Sequence, residues 1–284
     1  MICFKLRPGA IDLWSERNRE ENVLELYHNI NSVCAQKVRI ALNEKGEAAK
    51  EHLLTLQGDQ NDPAYMKLNP NGVVPTLVHG GNVITESSLI LYYIDDVFPN
   101  PPLMPKAPLA RHRVRLYNKL VDEYVHNSCT IITFATAFRQ RFLKVPREQW
   151  LAEINKAPLK RRAEYKRSVI ERGLDSEFVI DALRQHQKMI SWMATDLERG
   201  SYLVGETFTN ADCAVIPYIV RLELLKLGAM WQQYPAIGEW WARVKERPSV
   251  KTAIFDRMQD ADWAPFKNLA PDPWPKVQTL LKAA

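Results

Sequence analysis

Apolar and polar residues alternate along 23–28 (VLELYH), the period of a short strand with one buried face. The period then changes. Ala35, Val38, Ala41 and Leu42 recur at helical spacing, Asn31 and Ser32 stand where a cap belongs, and Gly46 stands where the helix must stop. A second strand is predicted over 50–56 (KEHLLTL), followed by a polar, loop-like stretch, 57–72 (QGDQNDPAYMKLNPNG). Val73, Val74, Thr76, Leu77 and Val78 are strand formers, His79-Gly80-Gly81-Asn82 is a hairpin turn, and Val83, Ile84 and Thr85 return as the next strand. Pro75 cannot donate a ladder hydrogen bond, which suits an edge position or a cis peptide. A helix then opens at Thr85-Glu86-Ser87-Ser88 and turns Leu89, Ile90, Tyr93 and Ile94 towards the sheet.

Four prolines between Pro99 and Pro105 forbid continued helix and mark a domain boundary. Beyond 106 the pattern is helical throughout. Arg111–Ala137 and 174–198 carry amphipathic periodicity, and Thr209-Asn210-Ala211-Asp212 is a capping box. Pro217 is expected to kink the helix that follows. The organisation read from this is an extension at 1–22, a mixed α/β domain at 23–99, a linker at 100–106, a helical domain at 107–255 and a tail at 256–284 that wraps the surface or lies loose. Residues 139–172 form an insertion crowded with arginine and lysine and broken by Pro146 and Pro158. The simpler reading is a solvated excursion; the sharper one is a lid or a rim that attracts an acidic substrate.

The chain of 284 residues is long enough for two cores, and 46% hydrophobic with 25% charged residues is ordinary globular composition. No apolar run reaches membrane-spanning length, and residues 1–22 lack the apolar region of a secretory signal. Cys3, Cys34, Cys129 and Cys213 are widely spaced with no CxxC pair, which argues against a zinc site or a disulfide scaffold and for a reducing, cytoplasmic setting. A net charge of +5 suits anionic small molecules and is too diffuse to argue for nucleic acid.

The candidate chemistry sits at two helix starts, whose free amides and positive dipole ends favour anions. Val74-Pro75 followed by Glu86-Ser87 resembles the glutathione site of the thioredoxin-like domain of glutathione transferases. The stretch NSVCAQKVRIALNEKG resembles the SSCxxRVRIAL of zeta-class transferases and the Asn-Ser pair of bacterial β-etherases, and VDEYVHN (121–127) is similar to the VDEY of β-etherase-like proteins. The resemblance implies a thioredoxin-like N-terminal domain followed by an all-α helical bundle. It implies glutathione as co-substrate, held by Val74, Pro75, Glu86, Ser87 and Gln60. Ser32, with Asn31, would stabilise the thiolate. Tyr124 and Asn127 would line a pocket for a small electrophile, and the protein would be a homodimer. Tyr117, Phe134 and Phe138 are further candidates for that pocket, with core packing as the alternative for each.

Ser32 read alone is a plain N-cap; with the second helix start in hand, a hydroxyl donating to a thiolate is favoured. Val33 stands where the zeta class has a second serine, which weakens a zeta-type isomerase reading. For Cys34 a packing role is favoured over a nucleophile. Asp212 is assigned to folding, and no metal ligand set is visible. A non-catalytic ligand-binding module and a glutaredoxin-like reductase using Cys34 remain as alternatives to the transferase.

Overall fold

The computed structural model describes residues 23–267, 269 and 271–283; the extension at 1–22, with Cys3, lies outside them. The first domain is a four-stranded sheet in the order β2-β1-β3-β4, made of β1 (Leu24–His28), β2 (Lys50–Leu53), β3 (Thr76–His79) and β4 (Asn82–Ile84). β1 and β2 are parallel, joined by the crossover helix α1 (Val33–Lys45), while β3 runs antiparallel to both β1 and β4. This is the thioredoxin-like arrangement. The hairpin closes through Gly80 and Gly81, both at positive φ (53° and 78°), as a two-residue turn requires. Gly46 ends α1 in the left-handed conformation at φ 70°, its amide donating to Asn43 O and Leu42 O.

The predicted loop at 57–72 is not all loop. Asp62 caps a helix, α2 (Pro63–Leu68), with Pro63 in its first turn, where a missing amide costs nothing. Tyr65 from that helix is buried and donates to Val73 O at 2.6 Å, which ties the segment under the β3 strand. β3 itself begins at Thr76, so Val73–Pro75 precede it rather than belong to it, and the Val74–Pro75 peptide is cis. The helix α3 (Ser87–Val97) starts one residue after Glu86.

The second domain is entirely helical. α4 (Pro108–Leu120) runs through a wide turn of π type at Val121–Val125 into α5 (His126–Ala135). The charged insertion then forms three helices, α6 (Arg139–Leu143), α7 (Arg147–Asn155) and α8 (Lys160–Arg172). It is therefore not a solvated excursion. Phe142, Trp150, Ile154, Tyr165, Val169 and Ile170 are buried in the core, while most of the charges stay on outer faces and Arg141, Arg162 and Lys166 turn towards the cleft. The remaining long helices are α9 (Val179–Leu197), α10 (Asn210–Leu224) and α11 (Pro235–Lys245). α10 contains Pro217 and is buried along nearly its whole length against α1. The tail forms α12 (Asp260–Lys267) and α13 (Trp274–Lys282), anchored by buried Phe266 and Val277.

Asp212 behaves as a folding residue. Its Oδ2 accepts from Thr209 N (2.9 Å), and its Oδ1 accepts from Leu203 N (3.2 Å) and from Trp240 Nε1 (2.9 Å). The carboxylate thus joins the start of α10 to a loop and to α11. Asp212→Ala removes a capping box and leaves buried donors without acceptors, so we expect a loss of about 3–5 kcal/mol of stability. Urea unfolding measures it, and a change below about 1 kcal/mol would show that the carboxylate is dispensable.

Candidate functional site

The starts of α1 and α3 open into one cleft of about 1800 Å³ between the two domains. Asn31, Ser32, Cys34, Gln60, Val74, Pro75, Glu86 and Ser87 all line it, as do Tyr124 and Asn127 from the opposite wall. The structure therefore brings the two predicted helix starts, Gln60, Val74, Pro75, Tyr124 and Asn127 to one cleft, and leaves the further candidate Tyr117 outside it.

Ser32 caps α1. Its Oγ accepts from Ala35 N at 3.3 Å, so both the cap and a free hydroxyl proton coexist, since accepting uses only the oxygen. The Asn29–Asn31 loop before it is clamped from several sides. Asn29 Oδ1 accepts from Asn31 N (2.9 Å), Asn31 Nδ2 donates to Asp262 O on α12 (3.2 Å), and Arg221 Nη2 on α10 donates to Asn31 O (2.5 Å). Asn31 Oδ1 is buried without a partner among the described residues.

At the other helix start Glu86 has φ 65°, a left-handed backbone angle that costs a residue with a side chain of the order of 1–3 kcal/mol. Its carboxylate is exposed to the cleft and makes no hydrogen bond among the described residues. Ser87 beside it is buried, and Lys37 Nζ donates to its Oγ at 3.2 Å. Lys37 has no exposed surface; its ammonium also reaches Asp122 Oδ1 (3.2 Å) and lies 5.6 Å from the Tyr218 ring centre. Gln60 sits in a single turn of helix, where its Oε1 accepts from Gly58 N at 3.0 Å.

Two polar partners were not anticipated from sequence. Lys37 reads as a solvent-facing helix position, yet it is the counter-charge behind Ser87. His126, the first residue of α5, faces Cys34 Sγ with its Nδ1 at 3.3 Å, and Tyr218 Oη lies 3.9 Å from the same sulfur. Cys34 is accordingly more than the packing residue expected of it. Burial pushes its thiol up, but the charges of His126 and Lys37 and hydrogen bonds from His126 and Ser87 outweigh that and bring it from 9.0 down to about 6. The wide turn at Val121–Val125 gives His126 its register, since it adds a residue to the helix just before the histidine.

Of the candidate pocket residues, Tyr124 is exposed on the cleft wall under Lys188, whose Nζ lies 4.8 Å from its ring centre, and Asn127 is exposed beside it. Phe134 and Phe138 line the cleft deeper in, 5.4 Å apart. Tyr117 does not; it is buried, and its hydroxyl donates to Asp196 Oδ2 at 2.7 Å.

Comparison with known proteins follows the same lines. Residues 31–97 match the family described as Glutathione S-transferase, N-terminal domain, and residues 169–248 match Glutathione S-transferase, C-terminal domain. The chain belongs to the glutathione S-transferase superfamily. It is similar to protein LigF of Sphingobium sp., with 28% identity over 84% of this chain and 95% of that one. It is also similar to glutathione S-transferase TCHQD of Arabidopsis thaliana, with 28% identity over 81% of this chain and 89% of that one. A stringent starvation protein A homolog of Pasteurella multocida is 28% identical over 83% of this chain and 92% of its own. Among solved structures, the β-etherase LigF of Sphingobium sp. superposes with a TM-score of 0.73 at 26% identity, over 83% of this chain and all (100%) of that one.

The Cys34–His126 contact makes a prediction of its own. Iodoacetamide alkylation of Cys34 needs the thiolate, which is present above the thiol's pKa, so its rate should rise through about pH 6 and flatten by neutrality. His126→Ala should move that midpoint upward. A wild-type midpoint at or above 8 would remove His126 and Lys37 from control of the sulfur.

Proposed function

We propose that the protein is a glutathione-dependent transferase acting on an electrophilic, aromatic or aryl-ether substrate. The observation that carries this reading is the joint geometry of the two helix starts. A free carboxylate at Glu86 and a lysine-backed hydroxyl at Ser87 flank the cleft on one side, with a cap hydroxyl at Ser32 on the other. Glutathione's γ-glutamyl end carries both an ammonium and a carboxylate. Glu86 offers the first a counter-charge, and Ser87 with the amides of α3 offers the second its donors. Val74 would pair by backbone with the cysteinyl unit beside Pro75, and Gln60 would meet the glycine end. Ser32, supported by the clamped Asn31 loop, would donate to the thiolate at the mouth of α1.

Chemistry then needs little else. The glutathione thiolate attacks an electrophilic carbon, a carbon–sulfur bond forms, and the bond to the leaving group breaks with its electron pair. An aryloxide so released takes its proton from water. Holding thiolate and carbon together supplies most of the acceleration. Similarity to the β-etherase LigF supports an aryl ether as the substrate. A homodimer and a cytoplasmic setting go with this reading, and sedimentation velocity tests the first.

A second reading has its own observation. With His126 at 3.3 Å and a thiol brought down to about 6, Cys34 is equipped for thiol–disulfide exchange. Its thiolate would attack a disulfide sulfur and expel a thiolate, and glutathione would then resolve the mixed disulfide. Assaying the purified protein with chlorodinitrobenzene, a β-aryl ether and hydroxyethyl disulfide separates the readings. Conjugation or ether cleavage that survives Cys34→Ser supports the transferase. Disulfide reduction that survives Ser32→Ala but not Cys34→Ser supports the reductase. Tight glutathione binding with no turnover of any of the three supports a binding module.

Two substitutions test the transferase site. Ser32→Ala should raise the pKa of bound glutathione by about one to two units, the worth of one charge-assisted hydrogen bond, with little loss of affinity. Thiolate absorbance of the complex reports it, and an unchanged pKa removes Ser32 from the mechanism. Glu86→Ala should weaken glutathione binding about tenfold or more by stripping the ammonium of its partner. Unchanged affinity by calorimetry discards that assignment.

A further inference from the structure

The deep end of the cleft, away from the two helix starts, is built differently. Three phenylalanines, from α5, the link after it and α6, form one aromatic cluster, Phe134 to Phe138 at 5.4 Å and Phe134 to Phe142 at 5.7 Å between ring centres. Two cations lie on its ring faces: Lys166 Nζ is 4.4 Å from the Phe134 centre, and the Arg141 guanidinium is 4.6 Å from Phe142 and 5.6 Å from Phe138. All five residues line the cleft, together with Arg162.

Among the described residues, neither Lys166 nor Arg141 nor Arg162 has a carboxylate within ion-pair distance, and Arg162 Nε is buried without any hydrogen-bond partner. Other acids of this region are already engaged: Glu171 pairs with Arg147, Glu177 with Arg172, and Asp175 with Lys276. Glu153 opposes the charge of Lys166 and Arg141 without an ion-pair contact. Burial, with the repulsion of Arg162 and Arg141, holds the Lys166 ammonium down at about 7. Positive charge crowded against apolar rings, with no carboxylate in ion-pair contact, is a site short of an anion.

The geometry points to a binding subsite for an aromatic anion. We propose that the second substrate is an elongated aromatic acid, its far ring inserted among Phe134, Phe138 and Phe142 and its carboxylate (or a similar oxyanion) received by Lys166, Arg141 and Arg162. The proposal rests on the transferase reading for the reacting end and extends it. Distance sets the length. His126, Thr130 and Phe134 recur every four residues on α5 and line the same cleft. His126 stands against Cys34, at the sulfur end, and a rise of 1.5 Å per residue puts Phe134 about 12 Å further along. That span fits a two-ring molecule carrying its acid on the ring remote from the reacting carbon; a single-ring acid is too short to reach both ends.

The test has a binding arm and a kinetic arm, on the full-length protein with saturating glutathione. Biphenyl-4-carboxylate, which is unreactive, should bind at least about tenfold more tightly than biphenyl-4-carboxamide, the discrimination expected of a charge-assisted contact. Lys166→Met and Arg141→Met should each shrink that ratio, while Lys166→Arg should keep it. In the kinetic arm, a β-aryl ether with a carboxylate on its remote ring should show a lower KM than its methyl ester in wild type, and that advantage should fall in Lys166→Met. Raising the salt should erode the preference for the acid.

Equal binding of acid and amide, or a preference untouched by both methionine substitutions, overturns the subsite even if ester and acid are both turned over. Selective binding of the acid without turnover of any electrophile leaves the subsite standing and overturns the transferase reading instead. If Lys166→Met unfolds, Arg141→Met on the exposed surface of α6 carries the comparison alone.

Discussion

Burying an ammonium or guanidinium costs several kcal/mol unless every donor finds a partner, and α1 buries three. Lys37, Arg39 and Lys45 have 0%, 2% and 7% of their surface exposed. Each is satisfied by residues that lie outside the helix and mostly outside its own sheet. Lys37 needs Ser87 and, across the cleft, Asp122. Arg39 donates to Asn29 O (3.1 Å), Ile30 O (2.9 Å) and Ala253 O of the second domain (2.8 Å). Lys45 binds Asp95 Oδ1 (2.6 Å) and Pro101 O in the linker (2.5 Å). The helix can be buried only if the two domains, the linker and the loop before it all arrive together.

That requirement is what makes the cleft rigid where chemistry would occur. The Asn29–Asn31 loop is held from below by Arg39 and from the far domain by Arg221, so Ser32 enters its capping position with little freedom left. The same Asp122 that completes Lys37 also accepts from Ser88 Oγ at 2.9 Å, which fixes the start of α3 against the wide turn that follows α4. A site assembled from two domains is thereby held by contacts between charged groups that are too costly to leave unmade. Glu44 adds a bidentate pair with Arg247 (2.8 and 2.7 Å) on the outer side of the same seam.

Local chemistry was legible in the sequence, and distant pairing was not. Pro75, the Gly80-Gly81 turn, the Glu86-Ser87 helix start, the Ser32 cap and the Thr209–Asp212 capping box each express a constraint satisfied within a few residues, so their spacing announces them. Lys37 does not announce itself, because a lysine in a helix is ordinarily solvated and only Asp122, far along the chain, decides otherwise. His126 was hidden by the wide turn that precedes it, since an ideal 3.6-residue period assigns the residues after Val121 to the wrong face. The insertion misled for a different reason. Its charge density suggested solvent, although Trp150 with Ile154 and Tyr165 with Val169 already had the i, i+4 spacing of buried helix faces.

The cleft joins two environments of opposite character on one helix. At the start of α5 the sulfur end is polar, with Cys34, His126, Tyr218 and Lys37 in mutual reach. Two turns further along, the wall becomes phenylalanine capped by cations. The tail contributes to both, since α12 accepts from Asn31 through Asp262 O while its Phe266 lies 5.8 Å from Phe138 and 5.2 Å from the Arg221 guanidinium. Arg221 is the link: the same side chain fixes the Asn31 carbonyl and stacks on the aromatic wall. One guanidinium thus spans both ends of the cleft, holding the loop that carries Ser32 with one nitrogen while its face rests on Phe138 and Phe266.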